Sequence, residues 1–313
     1  MPLLRVAVRG NAPRAHKTGA HIAPVLRHRL TQGGPIVILV HGYKFDPAHA
    51  GHDPHNHIFG EAAKSTFKAV SWPRQLGFNT GRPDEGLCIG FGWPARGWFG
   101  DVCEKALAAG EALAALISEI RGLAPDRPVH LLAHSLGARV ALAATALLRS
   151  GDLGRVILLS GAEFQSNARD ALYGPAGRAA EWFNITSREN DVFDMLFEKF
   201  ARAPDAEARA GIGLGLSKAM PNWVDIQIDH PDTASFLSSL GFPLAKERRR
   251  VCHWSTYNRD GVMRFYAGLI RSPESLPLAA LRIRVAAQEP RFTQLLSMPA
   301  LPPLFPFGMR RTL

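Results

Sequence analysis

The stretch HLLAHSLGARVAL (130–142) places Ser135 where a strand-like apolar run turns into a helix of small residues. A serine at a helix start commonly serves as a cap, so its position alone favours no chemistry. Its neighbours sharpen the reading. A hydroxyl offered for attack needs a tight strand-to-helix turn, with small residues two before and two after it so that adjoining backbones can approach. Ala133 and Gly137 stand at those places, the alanine adding one methyl where glycine is commoner. The chemistry would be nucleophilic attack on a carbonyl.

Such an attack puts negative charge on the carbonyl oxygen, and two main-chain N–H groups can stabilise it. One belongs to the residue after the serine, Leu136. The other belongs to a loop after an earlier core strand, and VILVHGYKF (37–45) offers it from Tyr43, with Lys44 the alternative. An unassisted serine is a poor nucleophile near neutral pH. A histidine must take its proton and a carboxylate must orient the histidine. Downstream of Ser135, NITSRENDVFD (184–194) supplies Asp191 and Asp194, and the histidines beyond Asp191 are His230 and His253.

Positioning these groups requires a sheet. Short apolar runs recur at 35–42, 86–93, 128–135, 155–162, 181–187 and, more weakly, 223–229, with LLRVAV (3–8) as an edge strand. Helical segments separate them. Residues 101–122 repeat Val102, Ala106, Leu113, Ile117 and Ile120 at helical spacing, the segment after Ser135 runs to a stop at Gly151, and 261–272 forms a last helix. Strands alternating with helices predict an α/β fold with a mostly parallel sheet covered on both faces.

Taken in order, LVHGYK (39–44), GFGWPARGWFGD (90–101) with its following helix, AHSLG (133–137) and a late histidine resemble the α/β-hydrolase family. The resemblance is to bacterial serine hydrolases whose front strand reads LVHGYN and whose next core strand ends in WPS. It covers about residues 35–270. Lys44 stands where that branch usually has asparagine, and the segment 44–85 is an unusual insertion. The resemblance implies the α/β-hydrolase fold and the chain order serine, acid, histidine. It assigns Asp191, just beyond a core strand, as the acid with Asp194 as rival. It assigns His253, in VCHWSTYN before the last helix, as the base with His230 second. The implied activity is hydrolysis of a carboxylic ester or thioester through an acyl-enzyme on Ser135, on a small-molecule acyl substrate and with no cofactor. The alternative is a catalytically silent member of the same fold that binds a ligand.

The totals fit this reading. With 313 residues and 46% hydrophobic composition the chain can bury a large core, and no repeat or linker divides it, so one domain over 1–313 is expected. Net charge is +10, but the densest basic cluster, Lys246 to Arg250 with Glu247 inside it, lacks interleaved aromatics. It reads as a solvated loop, and nucleic acid is not expected. Cys88, Cys103 and Cys252 form no CxxC pair, which suggests neither a disulfide framework nor a zinc site. The apolar start is broken at Arg5 and Arg9, too early for a signal segment or a membrane span, so no transmembrane segment and a cytoplasmic location are expected.

Three signals remain. HAGHDPHNHIFG gathers His49, His52, His55 and His57 with Asp53, but without helical ligand spacing it reads as a lid or entrance wall, and no metal is expected. GIGLGLSKA (211–219) lacks a preceding strand and a Gly-Lys-Ser ending, so it reads as a connector. Trp93, Trp98, Phe99 and Trp182 default to the core, and the proline-broken tail 285–313 is expected to lie extended against the domain.

Overall fold

Ile36–Val40 reads IVILV and is buried at every position, as a strand covered on both faces must be. A computed structural model describes residues 3–31, 33–61, 70–203 and 209–296. Its strands are β1 (Leu3–Arg9), β2 (Ala12–Ala15), β3 (Ile36–Val40), β4 (Leu87–Gly92), β5 (Val129–His134), β6 (Leu153–Leu159), β7 (Glu181–Thr186) and β8 (Trp223–Gln227). They form one sheet in the order β2-β1-β4-β3-β5-β6-β7-β8. All neighbours are parallel except β1 and β2.

The helices are α1 (Ile22–Arg29), α2 (Trp72–Gln75), α3 (Phe99–Leu123), α4 (Leu136–Thr145), α5 (Gln165–Tyr173), α6 (Pro175–Ala179), α7 (Asp191–Phe200), α8 (Pro231–Ser239), α9 (Ser255–Asn258), α10 (Val262–Arg271), α11 (Leu278–Arg284) and α12 (Thr293–Leu296). Alternation along β3 divides the core. Ile36, Ile38 and Val40 pack with α3 and α4, while Val37 and Leu39 pack with α10 on the other face. Each buried leucine or isoleucine contributes roughly 1.5–3 kcal/mol, so the two layers dominate the favourable side of folding. The five residues expected to face the core from the long helix are all buried in α3. This is the α/β-hydrolase fold.

The expected core strands are present within three residues of their ends. LLRVAV forms β1, but it is not the edge, because APRA adds β2 outside it. Pro13 made that segment a poor strand in sequence terms; at a sheet edge its missing N–H costs nothing. The helix after Ser135 ends at Thr145, and a turn carries the chain to Gly151 at φ +83°. Among the described residues no helix is long and apolar enough to cross a membrane.

The insertion is built from short pieces. Two 3-10 turns, at Ala50–His52 and Pro54–Asn56, precede α2, and the buried rings of Phe59 and Trp72 seat them on the sheet. Residues 62–69 of the insertion and 297–313 of the tail lie outside the described residues. The described part of the tail runs from Val285 beside β8, where the Glu289 amide donates to Gln227 Oε1 and Gln227 Nε2 donates to Glu289 Oε2. It then closes in the single turn of α12.

Candidate active site

Ser135 joins β5 to α4 with φ +55° and ψ −126°, a conformation a non-glycine residue holds only under constraint. Strain of this kind costs about 1–3 kcal/mol and is sustained by surrounding bonds. Here the Ser135 amide donates to Leu159 O, and its carbonyl accepts from Ala138 and Ala162. The turn is tight because backbones meet. A Cβ on Gly137 would stand 2.6 Å from Val40 O, and one on Gly42 would stand 2.7 Å from the Ser135 Cβ.

His253 comes to the serine. Ser135 Oγ lies 2.9 Å from His253 Nε2, in position to donate its proton there. The ring is half-buried, stacked on Phe193 at 4.6 Å between centroids, and lies beside His134. Burial holds its pKa well below the ordinary histidine value, with the neighbouring His134 adding to the shift. His134 donates Nε2–H to the backbone carbonyl of His253 at 2.9 Å and so fixes the loop that carries it. His230 caps α8, its Nδ1 accepting from the Asp232 amide.

The group that meets the imidazole is an amide, one residue before the expected acid. His253 Nδ1–H donates to Asn190 Oδ1 at 2.6 Å, and Asn190 Nδ2–H donates in turn to Asp194 Oδ1 at 2.8 Å. Asp191 is not brought to the histidine. It is fully buried, accepts from the Phe292 amide at 2.6 Å and stands 3.3 Å from Arg188 Nη1. The cause is helical geometry. Residues 190 and 194 share one face of the first turn of α7, whereas 191 is rotated by about 100° onto the face that meets the tail. The NxxxD spacing of Asn190 and Asp194 was readable in the sequence, but an amide is not the group sought for this role.

Asp194 is buried, and burial raises its pKa to about 7; Asp191 also raises it, against the opposing pull of Arg291, Arg188 and the Asn190 hydrogen bond. When ionised, Asp194 only accepts hydrogen bonds, which obliges Asn190 to present its NH2 to Asp194 and its oxygen to His253. His253 must then carry its proton on Nδ1, leaving Nε2 as the acceptor for the serine.

The HGY and WP motifs meet. Trp93 donates its backbone N–H to His41 Nε2 at 3.0 Å and its indole N–H to His41 O at 2.8 Å, with the rings stacked 5.5 Å apart. Burial lowers the His41 pKa to about 4, so the ring stays neutral and its Nδ1–H donates to Gly42 O. This lock fixes the loop holding Tyr43. Lys44 N–H is spent on Ala95 O at 2.8 Å, whereas the N–H groups of Tyr43 and Leu136 have no hydrogen-bond partner among the described residues.

Ser135 and His253 open on a cavity of about 1060 Å³ walled by Tyr43, Phe45, Phe99, Phe193, Phe197 and Trp254, and also by Phe200 and Leu196. Gly51, His52, Asn56 and His57 of the insertion line it too, consistent with an entrance wall. Trp93 and Trp182 are core residues, but Trp98 is exposed and Phe99 faces the cavity. The glycine-rich segment forms a 3-10 turn at Ile212–Leu214, where Gly213 O accepts from Arg188 Nη2. The histidines of the insertion do not cluster with one another; instead Asp53 and His55 meet His16, which follows β2.

Residues 105–164, from within α3 through Ser135 to the end of the loop after β6, match a family model described as T6SS Tle3 phospholipase effector domain. No curated protein matches the chain. Among solved structures it is similar to Bacillus licheniformis lipase BlEst2 in propeptide form, with a TM-score of 0.40 and 11% sequence identity over 82% of this chain. The chain spans 53% of the length of that lipase chain.

Proposed function

We propose that the protein hydrolyses carboxylic esters of long-chain acyl groups, phospholipids included, through an acyl-enzyme on Ser135. The observation that carries the reading is the contact of Ser135 Oγ with His253 Nε2 at 2.9 Å, made from a strained turn at the wall of an apolar cavity. A cavity with this lining favours an acyl chain over a polar substrate. The match of residues 105–164 to a phospholipase effector model supports the lipid class.

In the proposed mechanism Ser135 Oγ bonds to the ester carbonyl carbon as its proton passes to His253 Nε2. The N–H groups of Tyr43 and Leu136 stabilise the oxyanion. Collapse breaks the bond to the leaving alkoxide, which takes the proton from His253, and water repeats the sequence to release the acid. Asn190 takes the place expected of Asp191. As a neutral amide it fixes the imidazole tautomer without offering a full charge, and Asp194 supplies that charge one bond further away.

An amide against the base also favours a second reading, a silent fold that binds an acyl ligand. Labelling by a fluorophosphonate probe separates the two. Stoichiometric labelling of Ser135, lost in Ser135→Ala together with turnover of phospholipid vesicles, supports the hydrolase; a folded protein that neither labels nor turns over vesicles refutes it.

A further inference from the structure

Beside β4, three side chains from two segments converge: His16 after β2, and Asp53 and His55 from the insertion. One donor atom of each lies within 4.8 Å of the others. Asp53 and His55 are buried, and the His16 side chain is only 12% exposed. His55 Nε2 lies 3.0 Å from Val6 O, an acceptor, so that nitrogen carries the ring proton and Nδ1 keeps its lone pair. Nδ1 is buried with no hydrogen-bond partner.

The ring lies against two glycines of β4. A Cβ on Gly90 would stand 3.1 Å from His55 Nδ1, and one on Gly92 would stand 3.0 Å from Nε2. Glycine weakens a strand interior, and here it leaves the space the imidazole fills. Asp53 is held from two sides, its Oδ1 by the His55 amide and its Oδ2 by Asn56 Nδ2, while His16 Nε2 reaches Oδ2 at 3.0 Å. An imidazole that gives its other N–H to a backbone carbonyl, beside an oriented carboxylate, is the outer arrangement that metal-binding histidines use.

We propose that His16, Asp53 and His55 bind one divalent cation of the zinc class, which fastens the insertion to the β1–β2 edge of the sheet. Two imidazole nitrogens and one carboxylate oxygen suit a borderline ion, with water completing the tetrahedron. On binding, His16 shifts its remaining proton to Nδ1, which also lacks a partner. The inference is independent of the reaction proposed at Ser135, because its readouts are binding and stability.

The test strips the full-length protein with a chelator and titrates it with Zn²⁺ alone. One ion per chain and a Tm raised by several degrees at about 100-fold excess over Kd are expected. His16→Gln should weaken binding by more than the roughly 10–100-fold cost of losing an outer-shell partner, whereas His49→Gln, an exposed histidine outside the trio, should leave it unchanged. Should His16→Gln fail to fold, Co²⁺ added to the stripped wild type must give the strong visible absorption of a tetrahedral site. No stoichiometric ion, an ion retained by a folded His16→Gln, one lost in His49→Gln, or a weak octahedral Co²⁺ spectrum would each overturn the assignment.

Discussion

Asp194 lies one helical turn after Asn190 and accepts its Nδ2–H at 2.8 Å, so a buried carboxylate dictates which way an amide faces a histidine. Asp194→Asn keeps the shape but removes that dictation, since the new side chain can donate as well as accept. The expected result is a roughly tenfold loss of kcat/KM, equivalent to one hydrogen bond of about 1–1.5 kcal/mol, with KM little changed. The pH profile distinguishes this role from a packing role. In the wild type, activity should rise as Asp194 ionises near pH 7, and that limb should vanish in Asp194→Asn. Stopped assays of ester turnover across pH 5 to 9 measure it.

Stability should respond to pH in two opposed ways. The pKa of Asp194 is raised on folding, so the native state binds more protons than the unfolded chain between its ordinary value and about 7, and stability falls as pH rises through that window. His41 and His134 have values lowered to about 4 by burial, so between about 4 and 6.5 the unfolded chain binds more protons and stability rises with pH. Thermal melts of wild type and Asp194→Asn should therefore diverge most above pH 7, where the wild type bears the buried charge and the variant does not. Equal differences at pH 5 and pH 8 would refute the assignment.

Ser135→Gly should abolish fluorophosphonate labelling and yet stabilise the fold by about 1–3 kcal/mol, because glycine adopts the left-handed backbone there without strain. Urea midpoints of the two proteins measure the difference.

Gly137→Ala should act in the opposite direction. Its methyl meets the carbonyls of Val40, the last residue of β3, and of His41 just beyond it, so a loss of about 1–3 kcal/mol is expected together with displacement of the serine. The same melts and labelling report both effects.

Lys44 holds φ +78°, where asparagine is tolerated better than most residues. Lys44→Asn should raise Tm slightly, the equivalent of a few tenths of a kcal/mol to about 1 kcal/mol.

Much of the site was legible because the motifs are local. AHSLG specified a strand, a turn and a helix through its small residues, and HGY and WP each sat on a core strand whose burial followed from an unbroken apolar run. The approach of His253 to Ser135 was legible too, as His253 precedes an amphipathic helix. Asp191 was misplaced because a single step along a helix rotates a side chain by about 100°, and no pattern of residue types reveals where the first turn begins. The partner that draws Asp191 away, Phe292, lies 101 residues further on. The meeting of His16 with Asp53 and His55 was equally hidden, since it depends on β2, a proline-bearing edge strand.

Four contacts tie the segment 288–292 to the outer side of the cavity wall: Arg188 with Gln288 and with Glu289, Arg291 with Glu198, and Phe292 with Asp191. Each ends on α7 or on the turn before it, and the start of α7 presents Asn190, backed by Asp194, to the histidine. A strap on the back of a helix thus sets the aim of groups on its front. Proteolytic nicking near Gln288 should leave the sheet standing while the proton path to Ser135 slackens, so that intactness of a segment far from any substrate becomes a condition of turnover.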